Sequence, residues 1–337
     1  MRRRFYFFLL LFLVAAPAYA QEDGFNLPAA LYVLTNDGMI QRYGQGAEGI
    51  TTVSPADVFI VDFGVSPDDN WIAYRTENAL TIANRTTEET YLVESELASV
   101  PSVRGEGDTI AWSPAGDAIA VTTLYGGRIY INPSPSSPVA SWQFTPLDLR
   151  EGAFIQVLWS PDGRFLAAEV EGNIWWIYRR DGQNMVLTSA IPSAVDVAWV
   201  ANSELVFAPA EGGLVLMRLD QANAQTILLS DGSNYSLPYL MPDGLLAFFG
   251  RQKDDTETEP GFGWLVGLRA GAASVENTGE IPVNLTGLRW SPGGDFMISF
   301  QDGIFSVVNP INGQGFALPV SAVVAYTWGP PLAAPTA

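Results

Sequence analysis

The stretch LWSPDGRFLAAEVEGNIWWIYRRDG, residues 158–182, sets a tryptophan, a Ser-Pro-Asp-Gly tetrapeptide and two apolar runs in order. With its flanks it divides into four runs, IQVLW, RFLAAEV, IWWIYRR and NMVLTSA, separated by SPDG, EGN and DGQ. Each run suits a strand and each separator a turn. Proline presets φ at the second turn position, Asp suits the third, and Gly supplies the positive φ that closes a bulged hairpin. Turn signals of this kind between β-branched and aromatic runs mean hairpins, and no helical period competes with them beyond residue 20.

The same order recurs along the chain. DTIAWSPAGDAIAVTTLYGGRIYIN precedes the opening stretch, and GLRWSPGGDFMISFQDGIFSVVN follows it. Weaker copies are DFGVSPDDNWIAYRTENALTIAN, DVAWVANSELVFAPAEGGLVLMRLD and LPYLMPDGLLAFFG, and AYTWGPP stands near the end. Anchored at Val65, Trp112, Trp159, Trp199, Leu240, Trp290 and Trp328, the copies are spaced 47, 47, 40, 41, 50 and 38 residues apart. Four-stranded propeller blades repeat at about that interval, 40–50 residues. The first strand of a copy carries a large apolar residue at the anchor and two before it, as in Ile110/Trp112 and Val157/Trp159. The position between them is often small, as at Gly64, Ala111 and Ala198. That asymmetry fits an inner strand crowded near an axis rather than a two-sheet sandwich with one wet face. Trp175 and Trp176, adjacent in one strand, point to opposite faces and serve packing between blades.

Six copies are complete and the seventh is split. VVAYTWGP supplies a first strand at the C-terminal end, and ALYVLT, MIQRYG and ITTVS supply three more near the N-terminal end. The fold expected is therefore an all-β, seven-bladed β-propeller over residues 30–330. Its last blade is closed by one C-terminal and three N-terminal strands, a join that leaves no open radial edge. Residues 21–29 are a lead-in and 331–337 a tail. The WSPDG runs followed by IYI or IWWIY resemble the repeats of TolB-type and related WD-repeat-like bacterial propellers. The resemblance spans roughly residues 30–330 and implies the fold, since the N-terminal α/β domain of the TolB family has no counterpart here.

Residues 1–20 have the layout of a secretory signal peptide: Arg2, Arg3 and Arg4, then FYFFLLLFLVAA, then Ala18 and Ala20 before a cut at Gln21. The apolar run is shorter than the ~20 residues a membrane span requires, and no later segment is a candidate. Removing the leader takes three of the 17 basic residues and none of the 36 acidic ones, leaving 14 against 36. Such a surface repels nucleic acid and anionic lipid. The chain contains no cysteine and no histidine. Stability must then come from core burial without disulfides, and Ser-His-Asp, Cys-His and His/Cys zinc chemistry are excluded. A secreted or periplasmic, bacterial, monomeric protein is the expectation.

Propeller ligands seat at the mouth of the central channel. Three residues before four successive anchors stand Asp62, Thr109, Gln156 and Asp196, a polar set for a small polar or cationic ligand, with calcium as the candidate ion. A second candidate is RQKDDTETEPGFGW (251–264), which crowds Asp254, Asp255, Glu257 and Glu259 into a long loop without EF-hand spacing. Phe262 and Trp264 after it read as the start of the next strand. Residues 132–154, rich in proline, read as an excursion pinned by Trp142 and Phe144. The function expected is a non-catalytic binding or scaffold module for a protein or extracellular ligand. The alternative is a glycoside hydrolase or lyase working with paired carboxylates at the channel, Asp62 and Asp196 being the first pair to consider.

Overall fold

The computed structural model describes residues 27–44, 48–87, 89–97, 108–123, 126–131, 140–144, 154–250, 261–272, 274–280, 282–285, 287–301, 304–320 and 322–331. Regular structure among them is entirely β, in seven antiparallel sheets. Blade one takes Asp62–Val65, Trp71–Arg75, Leu80–Asn84 and Thr90–Glu94, from the axis outward. The inner strands of blades two to six are Ile110–Trp112, Phe154–Trp159, Ala194–Ala201, Tyr235–Leu240 and Arg289–Trp290. Every anchor read from the sequence thus lies on an inner strand. Blade seven is composite: Val323–Pro331 is its inner strand and pairs with Ala29–Thr35, followed by Ile40–Tyr43 and Ile50–Thr52. In that join Leu31 faces Trp328 and Val33 faces Tyr326.

The core is a circle of seven clusters, each uniting two neighbouring sheets. Phe63 and Ile72 of blade one meet Tyr32 and Leu34 of blade seven, and Leu31 and Tyr326 of blade seven meet Ile298 and Phe305 of blade six. The other five clusters join the remaining neighbours in sequence order. Trp175 and Trp176, both buried, belong to different clusters on the two faces of blade three.

The repeated Trp-Ser-Pro has two structural causes. Each anchor indole donates to a main-chain carbonyl of the preceding blade: Trp112 to Gly64, Trp159 to Ala111 and Trp199 to Leu158, each at 3.1 Å. Trp290 reaches Leu237 at 2.9 Å and Trp328 reaches Arg289 at 3.5 Å. The serine after the anchor turns its hydroxyl inward to close the first hairpin. Ser66, Ser113, Ser160 and Ser291 are buried, and each hydroxyl accepts an N–H at the start of the second strand or, for Phe296, just before it, at 2.9–3.1 Å. Gly116, Gly163 and Gly244 take the positive φ the turns require.

Two local readings change. Within the expected excursion, Ala140–Phe144 is a strand that pairs with Gly126–Ile131 at the outer edge of blade two, while 132–139 and 145–153 lie outside the described residues. The prolines before it had masked the short run ASWQF as loop. Blade five is not simply four-stranded: Glu276–Asn277 and Val283–Asn284 each pair with Phe262–Leu268, splitting its outer edge in two. Phe262 does open a strand, the third of that blade.

Crowding at the axis explains the small residue before the anchor. A Cβ on Gly64 would stand 2.6 Å from the Ile110 carbonyl oxygen of blade two. Gly64→Ala is therefore expected to lower stability by about 1–3 kcal/mol through overpacking, measured by urea unfolding. The matching change at exposed Gly172, where no atom lies within 4 Å but φ is positive, isolates backbone strain as the control.

Candidate functional site

The inner strands surround a cavity of about 750 Å³, to which blades two to seven all contribute. Gln156, Asp196, Tyr239, Arg289 and Trp290 are among its lining. A smaller space of about 220 Å³ shares Asp108, Gln156, Leu158, Arg289, Thr327 and Trp328 with it and continues toward blades one and two. Ring geometry places these side chains together: each is carried on, or immediately before, an inner strand, and inner strands line the axis.

The four residues read from the sequence separate into two pairs. Gln156 and Asp196 line the cavity. Asp62 and Thr109 are buried and turned to each other between blades one and two. The Asp62 carboxylate accepts the Thr109 N–H at 3.1 Å and also the Thr109 hydroxyl. Arg75 lies opposite Asp62 in register and is likewise buried. Burial pushes the Asp62 acid up, while Thr109 and the Arg75 charge pull it back, and burial pushes Arg75 down. Asp196 repeats the bond pattern between blades four and five: its carboxylate accepts the Leu237 N–H at 3.1 Å. An aspartate three residues before the anchor thus ties its inner strand to the next one.

Two further charged residues, Asp108 and Arg289, line the site, and a third, Glu169, stands beside it. Asp108, one residue before Thr109, pairs with Arg289 at 3.3 Å, linking blade two to blade six. The Arg289 guanidinium also lies 5.3 Å from the Tyr326 ring centroid. Glu169 sits on the second strand of blade three, opposite Gln156. Desolvation first, and then the charges of Asp196 and Asp108, raise Glu169 to about 7. Desolvation raises Asp196 to about 6, opposed by its bond from Leu237. The aromatic side of the cavity is built by Tyr239, stacked on Trp290 with centroids 5.1 Å apart and rings 24° from parallel.

Position-by-position alignment of first strands could not find Glu169, because it lies on a second strand. Its signal was present all the same, as the one charge in the otherwise apolar FLAAEV. Arg289 is the one charged residue at the position before the anchor, where three copies place Gly64, Ala111 and Ala198, which is a comparable signal. Asp254, Asp255, Glu257 and Glu259 lie outside the described residues, in the connection between Leu246–Gly250 and Phe262–Leu268. Among the described residues no three acidic side chains converge as a metal-holding group.

No protein-family model and no curated sequence matches the chain. Solved structures match it in fold. A protein described as a 6-phosphogluconolactonase from Bacteroides uniformis superposes on 89% of this chain and 99% of its own, with 14% identity and a TM-score of 0.55. The C-terminal WD40 domain of Sif2 covers 80% of this chain and 72% of its own, at 15% identity and a TM-score of 0.50. TolB from Acinetobacter baumannii covers 92% and 69%, at 14% identity and a TM-score of 0.49. The likeness is one of fold. It extends from a protein described as an enzyme to a WD40 domain whose name states no reaction, so function has to be argued from the site itself.

Proposed function

We propose that this chain, freed of residues 1–20, is a secreted or periplasmic, monomeric, non-catalytic binding propeller that seats a small polar ligand in its axial cavity. The observation that carries this reading is the cavity of about 750 Å³ with polar groups on one side and a stacked aromatic pair on the other. Its volume is in the range of small-molecule sites, ~300–1,000 Å³, and such a mixture of walls is what fixes a ligand's orientation. The surrounding sheets are tied blade to blade by indole and aspartate bonds, so the walls are preorganised and binding orders little that is not already ordered. The acidic excess of 36 against 17 disfavours nucleic acid as the partner.

The test is a thermal-shift panel of neutral, cationic and anionic small molecules against the purified protein and a Thr327→Trp variant, whose indole would fill the shared part of the two spaces. At least one class is expected to raise the wild-type Tm and to leave Thr327→Trp unmoved. A panel without any shift, or shifts equal in both proteins, refutes the reading.

A carboxylate-dependent glycoside hydrolase or lyase remains the second reading, because Glu169 at about 7 and Asp196 at about 6 are neighbouring acids held at different values beside the cavity. Asp62, having no exposed surface, is turned away from that role toward Thr109. If this reading is correct, aryl glycosides are turned over, and Glu169→Gln lowers kcat by about 10²–10⁴-fold as the loss of a general acid.

A further inference from the structure

Asp196, in the lining of the axial cavity, and Glu169, paired across from Gln156 of that lining, have no counter-charge among the described residues. Among the described residues Asp196 meets only the Leu237 N–H, and the charges that act on Glu169 are Asp196 and Asp108, both acidic. Arg289, the cation in the cavity lining, is already engaged by Asp108 at 3.3 Å and lies over Tyr326. Taking two carboxylates partly out of water beside each other, with no cation to offset them, is costly in a fold that needs them only for packing. A ligand that brings the missing positive charge reverses that cost, because the pair is then satisfied in a site of low dielectric. The cavity also offers Tyr239 and Trp290, whose ring faces attract cations and cover apolar carbon.

We propose that the axial cavity takes an organic cation, an ammonium or guanidinium group on a short apolar body, with its charge at Asp196, close to Glu169 behind Gln156, and its body against Tyr239 and Trp290. This rests on the binding reading above and names its ligand class. A hard divalent ion suits the site less well, since it demands about six or more oxygen ligands, whereas two carboxylates stand here. A neutral sugar would leave both charges as they are.

Isothermal titration of the purified protein with cadaverine, agmatine, 1,5-pentanediol and glutarate separates the outcomes. Cadaverine or agmatine is expected to bind, and the diol and the dianion are not. Glu169→Gln is expected to weaken the amine by about tenfold, and adding Asp196→Asn to weaken it further. Asn at 196 still accepts the Leu237 N–H, and Glu169→Gln alone provides a second variant should the double one unfold. Amine binding that is indifferent to both substitutions would be adsorption to the acidic surface and overturns the proposal. Diol or glutarate binding that Thr327→Trp abolishes, without amine binding, overturns it too but keeps the cavity as a ligand site. Silence from every probe class removes both this inference and the binding reading.

Discussion

Asp62→Ala is expected to destabilise the protein by about 3–5 kcal/mol, the cost of breaking a buried charged pair from one side. Two losses combine. The Thr109 N–H and hydroxyl lose their acceptor between blades one and two. Arg75, 1% exposed and opposite Asp62 in register, loses the stronger of the two acidic charges that act on it and retains Asp108. An arginine cannot escape by giving up its proton, so more of the guanidinium's desolvation penalty is left uncompensated. Urea unfolding followed by tryptophan fluorescence measures it. Asp62→Asn keeps an acceptor for Thr109 and is expected to cost less, about 1–3 kcal/mol. Replacing both partners, as in Asp62→Leu with Arg75→Met, is expected to be milder than Asp62→Ala alone, because no charge is then stranded. A double variant as unstable as the sum of its singles would show that the two groups do not act as a pair.

The second large effect concerns pH. Asp196 stands at about 6 against an ordinary 3.8, and Glu169 at about 7 against 4.5. In the window between the ordinary and the folded values, from roughly pH 4 to 7, the folded protein retains protons that the unfolded chain releases. Stability contributed by these two sites therefore falls as pH rises through that window and stays low above it. One pKa unit corresponds to about 1.4 kcal/mol; allowing for partial exposure and for the coupling of the two acids, their combined effect is about 2–4 kcal/mol. Asp196→Asn with Glu169→Gln removes the desolvated charges. The double variant is expected to exceed the wild type by that amount at pH 8 and to match it near pH 4. Equal stability of the two proteins at pH 8 would mean that the acids are hydrated or paired after all.

Repetition made the architecture legible. Trp112, Trp159 and Trp290 recur with serine and proline behind them because an indole bond to the previous blade and a hydroxyl bond across the hairpin are needed once per blade. The runs IQVLW, RFLAAEV, IWWIYRR and NMVLTSA of the opening copy match the strands Phe154–Trp159, Phe165–Val170, Ile174–Asp181 and Asn184–Ile191. The site was only half legible, for a related reason. Function uses departures from the repeat, and a departure has no second copy to reveal it. Asp62 and Asp196 occupy the same place in their blades, yet one is sealed by Thr109 while the other faces the cavity, where the next strand bulges at Leu237 with a φ of 51°. A leucine in the left-handed region carries no sequence signature, unlike the glycines of the turns. Glu169 and Asp108 act across blade boundaries, and pairings of that kind follow from the closed ring rather than from neighbours in the chain.

The composite blade sets the order in which the molecule can be finished. Ala29–Thr35 is made early, yet its hydrogen-bonding mate, Val323–Pro331, leaves the ribosome after six other sheets have been translated. The longest-range strand pairing among the described residues is thus the final latch, and contacts of such sequence separation form slowly. Until it snaps shut, two flanks rich in aromatic and aliphatic groups, Tyr32 and Leu34 on one and Leu31 and Tyr43 on the other, have no stable blade to hold them against their neighbours. Chaperone holding or proteolytic attack during biogenesis would act on this half-built wedge.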